Sequence, residues 1–513
     1  MSNRDVSATW QYHNATKHSE QSLRAGPHFL DWANHPIPYK IYSSLEPIPL
    51  PGDFPPSTIS ALEALAASDL QITGKRIPDL STLARVCYYS NGITKRWRLS
   101  SGEMCALRAA ACTGALYHIE LYLVCEDLPG LASGIYHYGA HDNSLRQLRA
   151  GDFRQVLVEA TAAEPSIVEA PAVIICTSTF WRNAWKYQSR AYRHSYWDNG
   201  TTLANLLAVA AAVDLPAKVV LGFVDEPVNQ LLDVDPQHEA AISLVALGHT
   251  SQLPPAAPPA LPLGLPTVRL SPKEVDYPVI RAMHAASSLA SREEVVIWRG
   301  SVFRSPLPLA NGPLIPLQPL DPSKLPGDPI EDVIRRRGST RRFAREPIAF
   351  EQLSTMLALS TRGIPADCLD LTSGPLSDLY LIVNAVDGLQ QGAYILHREE
   401  QALELLKEGN FRNIARRLAL NQALGADASV NVYFLINLES VLACFGNRGY
   451  RVAQLAAAIS AGKLYLAAYA FKSGATGLTF FDNDVTAFFS PHSANKTVMF
   501  LIALGQPVKG SRA

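Results

Sequence analysis

Gly130-Leu131-Ala132-Ser133-Gly134-Ile135-Tyr136 returns 258 residues later as Gly388-Leu389-Gln390-Gln391-Gly392-Ala393-Tyr394. Gly151-Asp152-Phe153-Arg154 returns as Gly409-Asn410-Phe411-Arg412, and Arg190-Ala191-Tyr192-Arg193 as Arg448-Gly449-Tyr450-Arg451, both at the same spacing. Three motifs that hold one offset over about 60 residues mark a duplicated unit. The ends Ala246-Leu247-Gly248 and Ala503-Leu504-Gly505 differ by 257, so the later part of each copy runs nearly without insertion. Only the second copy carries the cluster Arg336-Arg337-Gly338-Ser339-Thr340-Arg341-Arg342-Phe343. A duplication with one charged copy implies an internal pseudo-dimer with a single ligand site.

Working outward, each copy opens on a helical pattern, Leu80 to Leu83 and Leu353 to Leu357, and reaches a Gly-Ile pair, Gly92-Ile93 and Gly363-Ile364. Strand-like runs follow, Glu120 to Val124 and Asp378 to Val383, then a glycine turn and a tyrosine strand. Strands and helices mixed within each copy predict an α+β fold, with mainly antiparallel sheets flanked by helices. The expected units are a wrapping segment (1–60), domain 1 (61–250), a Pro-rich connector (251–327) and domain 2 (328–513). Within the connector, Pro278 to Arg299 has a helical pattern and is expected to dock.

The composition is 48% hydrophobic and 18% charged with a formal net charge of −1, which supplies no electrostatic argument for nucleic acid or an acidic membrane. Seven scattered cysteines form neither CxxC nor His-paired metal spacing, so reduced thiols, a cytoplasmic protein and no metal are expected. No signal peptide is read at the N-terminus. The apolar stretches Leu203 to Val224 and Val452 to Phe471 approach membrane length, but Asp214, Pro216, Lys218, Gln454 and Lys463 interrupt them. They read as buried helices whose small alanine faces pack closely.

Asp328 as N-cap and Pro329 at the first helical position would start a short helix that ends at the arginine cluster. Arginine forks and a serine hydroxyl suit phosphate, and a solvated basic turn has the same composition, so the residues leave both readings open. Lys186-Tyr187 in the first copy faces Cys444-Phe445 at the same offset in the second. A desolvated lysine can act as a base and a neighbouring tyrosine can relay a proton, whereas an exposed lysine beside a packed tyrosine does neither. Arg190, Arg193, Arg448 and Arg451 occur in both copies, which favours structural ion pairs over catalysis. His118, His137 and His194 could bind substrate or simply pack. Neither a Rossmann nor a P-loop fingerprint is present.

Arg337 to Phe343 resembles the R-x-S-x-[KR]-x-F phosphate-binding opening of the nitroreductase family, whose members bind FMN between two subunits. Four further stretches are similar to its SagB-type dehydrogenase branch, which contains the azoline oxidases of thiazole and oxazole peptide biosynthesis. They are Tyr12 to His18, Gly114 to Tyr122, Lys186-Tyr187 to Arg193, and Gly474 to Asp482. This resemblance implies phosphate contacts at Arg337, Ser339, Arg341 and Lys496. It implies a loop against the flavin at Cys112, Thr113 and Gly114, where the family more often has Pro-Ser before the glycine. It also implies backbone near flavin N5 at Thr479 and Phe480, and a catalytic pair Lys186 and Tyr187. The opening of the first copy, Ser60 to Ile72, has no arginine cluster.

The reading is therefore a tandem nitroreductase-like pseudo-dimer that binds FMN and removes two hydrogens from a heterocyclic or peptide-derived substrate. Biosynthetic partner proteins follow from the resemblance, and pairing of whole chains is left open. Two alternatives stand beside it: an NAD(P)H-fed nitro- or quinone reductase, and a degenerate scaffold that holds a peptide without chemistry.

Overall fold

The computed structural model describes residues 3–26, 28–67, 75–98, 104–301, 303, 308–369 and 376–509. Fourteen strands form two sheets. The first contains β1 (Ile48–Pro49), β2 (Ile119–Cys125), β3 (Gly134–Gly139), β4 (Ser144–Ala150), β5 (Ala172–Thr179), β6 (Ala217–Val220) and β7 (Glu239–Leu247). The second contains β8 (Leu314–Pro316), β9 (Asp378–Val383), β10 (Gly392–His397), β11 (Ala402–Glu408), β12 (Val430–Ile436), β13 (Gly474–Gly477) and β14 (Thr497–Gly505). Strand order is β1-β4-β3-β2-β5-β7-β6 and β8-β11-β10-β9-β12-β14-β13, the same order displaced by seven, and every pairing is antiparallel. Even the register shifts recur, at Ile135/Tyr136 and at Ala393/Tyr394. Inherited bulges of this kind fix where each strand bends.

The opening motif has a physical reason. Gly130 and Gly388 adopt φ of +84° and +78°, a turn that favours glycine. The Tyr136 and Tyr394 hydroxyls then close that turn by donating to the Ala132 and Gln390 carbonyls at 2.8 and 2.7 Å.

Five helices matter for the site: α1 (Leu80–Asn91), α2 (Phe180–Tyr187), α3 (Ala191–Ala212), α4 (Ile330–Arg336) and α5 (Arg448–Ala470). The first apolar stretch is thus helical only to Ala212, because Pro216 ends it and the chain returns as edge strand β6. No described helix is long and apolar enough to cross a membrane. Helices α3 and α5 pack on each other along the contact between the copies. A Cβ on Gly200 would collide with the Ala458 side chain, and one on Gly462 with Ala204. These partners are twins at the 258 spacing, so equivalent points of the two helices meet on a pseudo-twofold axis.

Buried ion pairs cross the same axis. Asp482 accepts from Arg193 at 2.6 Å and Arg190 at 3.1 Å, and Asp225 accepts from Arg448 at 2.6 Å and Arg451 at 2.7 Å. The recurring arginines are therefore ion-pair residues holding the halves together. The arginines also bind backbone carbonyls and side-chain hydroxyls of segments expected to be wrapping and connector. Arg193 donates to His13 O and Thr16 Oγ1, and Arg451 donates to His284 O and Ser287 Oγ. The His18 N–H donates to Asp482 as the Leu289 N–H donates to Asp225. Each of these pairs is 271 apart, so the helix Pro278–Ala286 is the twin of Ser7–Ala15. By these contacts the expected connector includes the leading arm of the second copy. The spacing falls from 271 to 258 because the first copy has 13 more residues after its Gly-Ile pair, where it forms a hairpin, Ile93–Arg98 with Met104–Arg108, that has no counterpart among the described residues of the second.

Candidate functional site

Helix α4 begins at Ile330 with Pro329 as a bare N-cap. Asp328 does not cap it; its carboxylate takes Arg336 at 2.8 Å and its carbonyl takes the Ala61 N–H. At the far end Arg337 turns out of the helix into buried space. Its guanidinium donates to the Arg108 and Ala109 carbonyls, both at 3.0 Å, and so reaches from copy two into copy one. Ser339 Oγ lies 3.4 Å from Tyr465 Oη, which accepts from the Gly477 N–H. The Thr340 N–H donates to Ala475 O of β13 at 2.9 Å. Arg341 is exposed and has no hydrogen-bond or ion-pair partner among the described residues.

Copy one supplies the opposing wall, organised by Asp198 of α3. Its carboxylate accepts from Thr113 N at 2.9 Å, Thr113 Oγ1 at 2.7 Å and Cys112 Sγ at 3.0 Å, with His118 Nε2 at 2.9 Å. Four contacts on one carboxylate pin the loop, and Thr201 Oγ1 adds a bond to Ala111 O at 2.6 Å. Burial and the Asp198 charge push the Cys112 thiol well up, so it stays protonated as a donor. Gly114 has φ of +66°, and a Cβ there would stand 2.9 Å from Tyr187 Oη. Loop and tyrosine are thus in contact.

Tyr187 closes α2 and packs edge-on against His194 at 4.5 Å between centroids. Burial raises its phenol pKa, Asp198 and Cys112 raise it further, and the Arg341 guanidinium opposes the rise. That last influence ties Arg341 to Tyr187 across the two copies. Lys186 keeps solvent contact, with Nζ 5.4 Å from the centroid of the Tyr187 ring. The expected desolvated lysine is therefore half-buried at the rim. His194 is buried and neutral, its pKa lowered first by burial and then by Arg190.

Beyond β13, the Leu478 N–H bonds Leu501 O, and Thr479 Oγ1 is buried with no hydrogen-bond partner. The Phe480 ring lies 5.7 Å from Trp197, with the Arg190 guanidinium 5.3 Å over it. Trp197 is in turn 4.8 Å from His194, so an aromatic path runs from Tyr187 to Phe480.

Lys496 does not join this group. Its Nζ pairs with Asp378 at 2.8 Å and donates to Tyr380 Oη at 3.0 Å. It precedes β14, whereas Ala475, the anchor of Thr340, pairs with Leu504, about 25 Å further along that strand. Lys496 is the twin of Glu239, which pairs with Lys40 and Tyr122 in copy one, so this position serves a structural ion pair in both copies with opposite charge. Two lysines missed in the sequence stand closer. Lys95, on the hairpin, donates to Arg336 O at 3.2 Å, and burial and Arg337 lower its pKa. Lys509 follows Val508, whose N–H bonds Arg342 O at 3.0 Å. Lys95 carries no repeat signal, and Lys509 shows itself only through the short bridge Phe343–Pro507.

The geometry thus brings together Arg337, Ser339 and Arg341 of one half with Cys112, Thr113, Gly114, Lys186 and Tyr187 of the other, and leaves Thr479 with an unused hydroxyl. Residues 104–249 match the Nitroreductase family model. A Methanocaldococcus jannaschii protein named for that family is 22% identical over 155 residues, 30% of this chain and 74% of its own length. The trifolitoxin-processing protein TfxB of Rhizobium leguminosarum bv. trifolii is 29% identical over 141 residues, 26% of this chain and 38% of its own. Among solved structures, a nitroreductase-named protein from Anabaena variabilis superposes with a TM-score of 0.77 at 27% identity, covering 98% of this chain and 99% of its own. This chain therefore has the nitroreductase fold, with a nitroreductase-family domain in residues 104–249.

Proposed function

We propose that the chain is an FMN-dependent oxidoreductase that removes two hydrogens from a heterocyclic, peptide-derived substrate such as an azoline. The observation that carries this reading is the composite site, in which Arg337 clamps the Arg108–Ala109 carbonyls while Tyr187 lies on Gly114 within the field of Arg341. The residues fit FMN. Among the described residues Arg341 is an unpaired cation and the Thr479 hydroxyl is orphaned in the interior, Ser339 adds a hydroxyl, and Gly114 leaves room that a Cβ would fill. Bound FMN supplies a two-electron acceptor for hydride. The similarity to a trifolitoxin-processing protein supports a role in maturing a peptide product, in company with other biosynthetic proteins.

The chain's own residues divide the remaining work. Arg341 and Ser339 hold phosphate, with Lys95 and Lys509 adding positive charge. Asp198 fixes the Cys112–Gly114 loop, so the wall of the pocket does not reorganise when substrate arrives. Tyr187 stays protonated at neutral pH and donates a hydrogen bond to the substrate heteroatom. Lys186 accepts the acidic proton once substrate seated at the rim shuts out the solvent that keeps its ammonium charged, and then passes the proton out.

Purified protein should be yellow with bound FMN. Arg341→Ala should weaken FMN binding at least tenfold, the loss of a charge-assisted phosphate contact. Lys186→Ala should keep the flavin and lose turnover by about 100-fold or more, read as a two-hydrogen mass loss from an azoline-bearing peptide. A colourless protein that ignores added FMN would end this reading. The Methanocaldococcus jannaschii relative motivates a second reading, an NAD(P)H-fed reductase. Rapid bleaching by NADPH rather than by an azoline would select it.

A further inference from the structure

The pseudo-twofold axis that builds one site must build a second place like it, from the opposite contributions. There, Phe445 is the twin of Tyr187 and Cys444 the twin of Lys186. Leu221 and Gly222, between β6 and Asp225, take the part of Leu478 to Phe480, between β13 and Asp482. This place is filled. Trp298, from the helix Arg292–Arg299 in the leading arm of copy two, is 1% exposed. Its indole N–H donates to Phe445 O at 3.1 Å, and its ring centroid lies 5.3 Å from that of Phe445. On the other side, a Cβ on Gly222 would stand 3.0 Å from the indole carbons.

The polar edge is filled as well. The segment carrying Asp367 runs beside β6 through a parallel bridge, Ala366 to Val219. The Asp367 carboxylate then accepts the Leu221 and Gly222 N–H groups at 2.9 and 2.8 Å. The Gly222 N–H is the twin of the Thr479 N–H, while the Leu221 N–H is the twin of the Leu478 N–H that bonds Leu501 O in the intact half. A planar aromatic ring with an anionic edge thus lies between Phe445 and Gly222, supplied by the protein itself.

We infer that Trp298 and Asp367 are a built-in substitute for a flavin, so that the chain binds one FMN and permanently occupies its second pseudo-symmetric site. FMN does not fit there. The ring space is taken by indole, the donors are taken by a carboxylate, and the opening of copy one carries no arginines through Ile72, of which residues 68–72 lie outside the described ones. The leading arms make the difference at equivalent positions. At the 271 spacing the counterpart of Trp298 is Pro27, also outside the described residues, and the adjacent His28 side chain bonds Trp185 O at 2.8 Å at the rim of the intact site. Among the described residues, the aromatic plug therefore belongs to the second arm alone.

This inference rests on the flavin reading for its stoichiometry but not for its geometry, and the tests separate the two. Equilibrium dialysis of the full chain against FMN should give one equivalent per chain, and a second equivalent overturns the inference. Trp298→Ala should lower Tm by on the order of 5 °C, and millimolar indole should restore most of that loss while leaving the Tm of the native chain unchanged. Trp298→Leu, with a smaller gap, gives the same readout if the alanine variant does not fold. An absent indole effect on the variant, or an equal effect on the native chain, overturns the inference. Indole rescue in a chain that binds no FMN would sink the oxidoreductase reading and leave the plug standing.

Discussion

Asp225 and Asp482 each hold two arginines from the opposite copy, and all six side chains are buried. Attraction in such a place roughly offsets the cost of removing charge from water, so the net gain from the intact cluster is small. Loss of one partner is another matter, because it strands charge in the interior. Asp482→Asn should lower stability by about 3–5 kcal/mol, measured as a shift in urea midpoint at constant slope. These arginines were legible as structural from the sequence because they recur in both copies, whereas a one-site chemistry would need only one set. Lys496 misled for the complementary reason. A lysine near the end of the chain resembles a phosphate ligand until it is aligned with Glu239, its oppositely charged twin. Nothing in the sequence marks Lys95 or Asp198, since their roles come from the hairpin and from a loop returning to α3.

Helices α3 and α5 cross so closely that glycine on one side meets alanine on the other. In an ordinary exposed helix, Gly→Ala stabilises by about 1 kcal/mol. Gly200→Ala should do the opposite here, costing about 1–3 kcal/mol through overpacking against Ala458. Adding Ala458→Gly in the same chain should return most of the loss, which calorimetric Tm values would show. The alanine-rich stretches announced these helices, and the strand runs announced both sheets. The leading arms did not announce themselves, because their twin contacts use mostly the backbone carbonyls of Thr16, Ser287, His13 and His284 and the N–H groups of His18 and Leu289, which leave little trace in residue identity. Their proline content pointed to loose connection instead.

For the molecule as a whole, the shared interface sets the response to acid. His284 is buried with Arg451 against it, and burial followed by that charge lowers its pKa to about 3. Burial and Arg190 likewise lower His18 to about 3. In the unfolded chain both titrate near 6.5. Below that pH the unfolded chain takes up protons that the folded interface refuses, so stability present above 6.5 is lost as pH falls toward 3, by up to about 1.4 kcal/mol per pH unit for each histidine. Asp225, lowered to about 2 chiefly by Arg448 against the opposing cost of burial, adds a loss only below about 4. Tm should therefore decline already between pH 6.5 and 4.5, and His284→Gln should flatten that slope.

The glycine and alanine that meet at the axis have one more effect. In a dimer of identical subunits, a residue on the twofold axis faces itself, so the two sides cannot differ. Fusion into a single polypeptide freed those positions, and the chain uses the freedom as a key: Gly200 accepts Ala458, and Gly462 accepts Ala204. Two first halves brought together would set Gly200 against Gly200 and Ala204 against Ala204, a void beside a clash. Each half thus accepts a second-type mate and rejects its own kind, which keeps the first halves of neighbouring chains from pairing with one another as they fold.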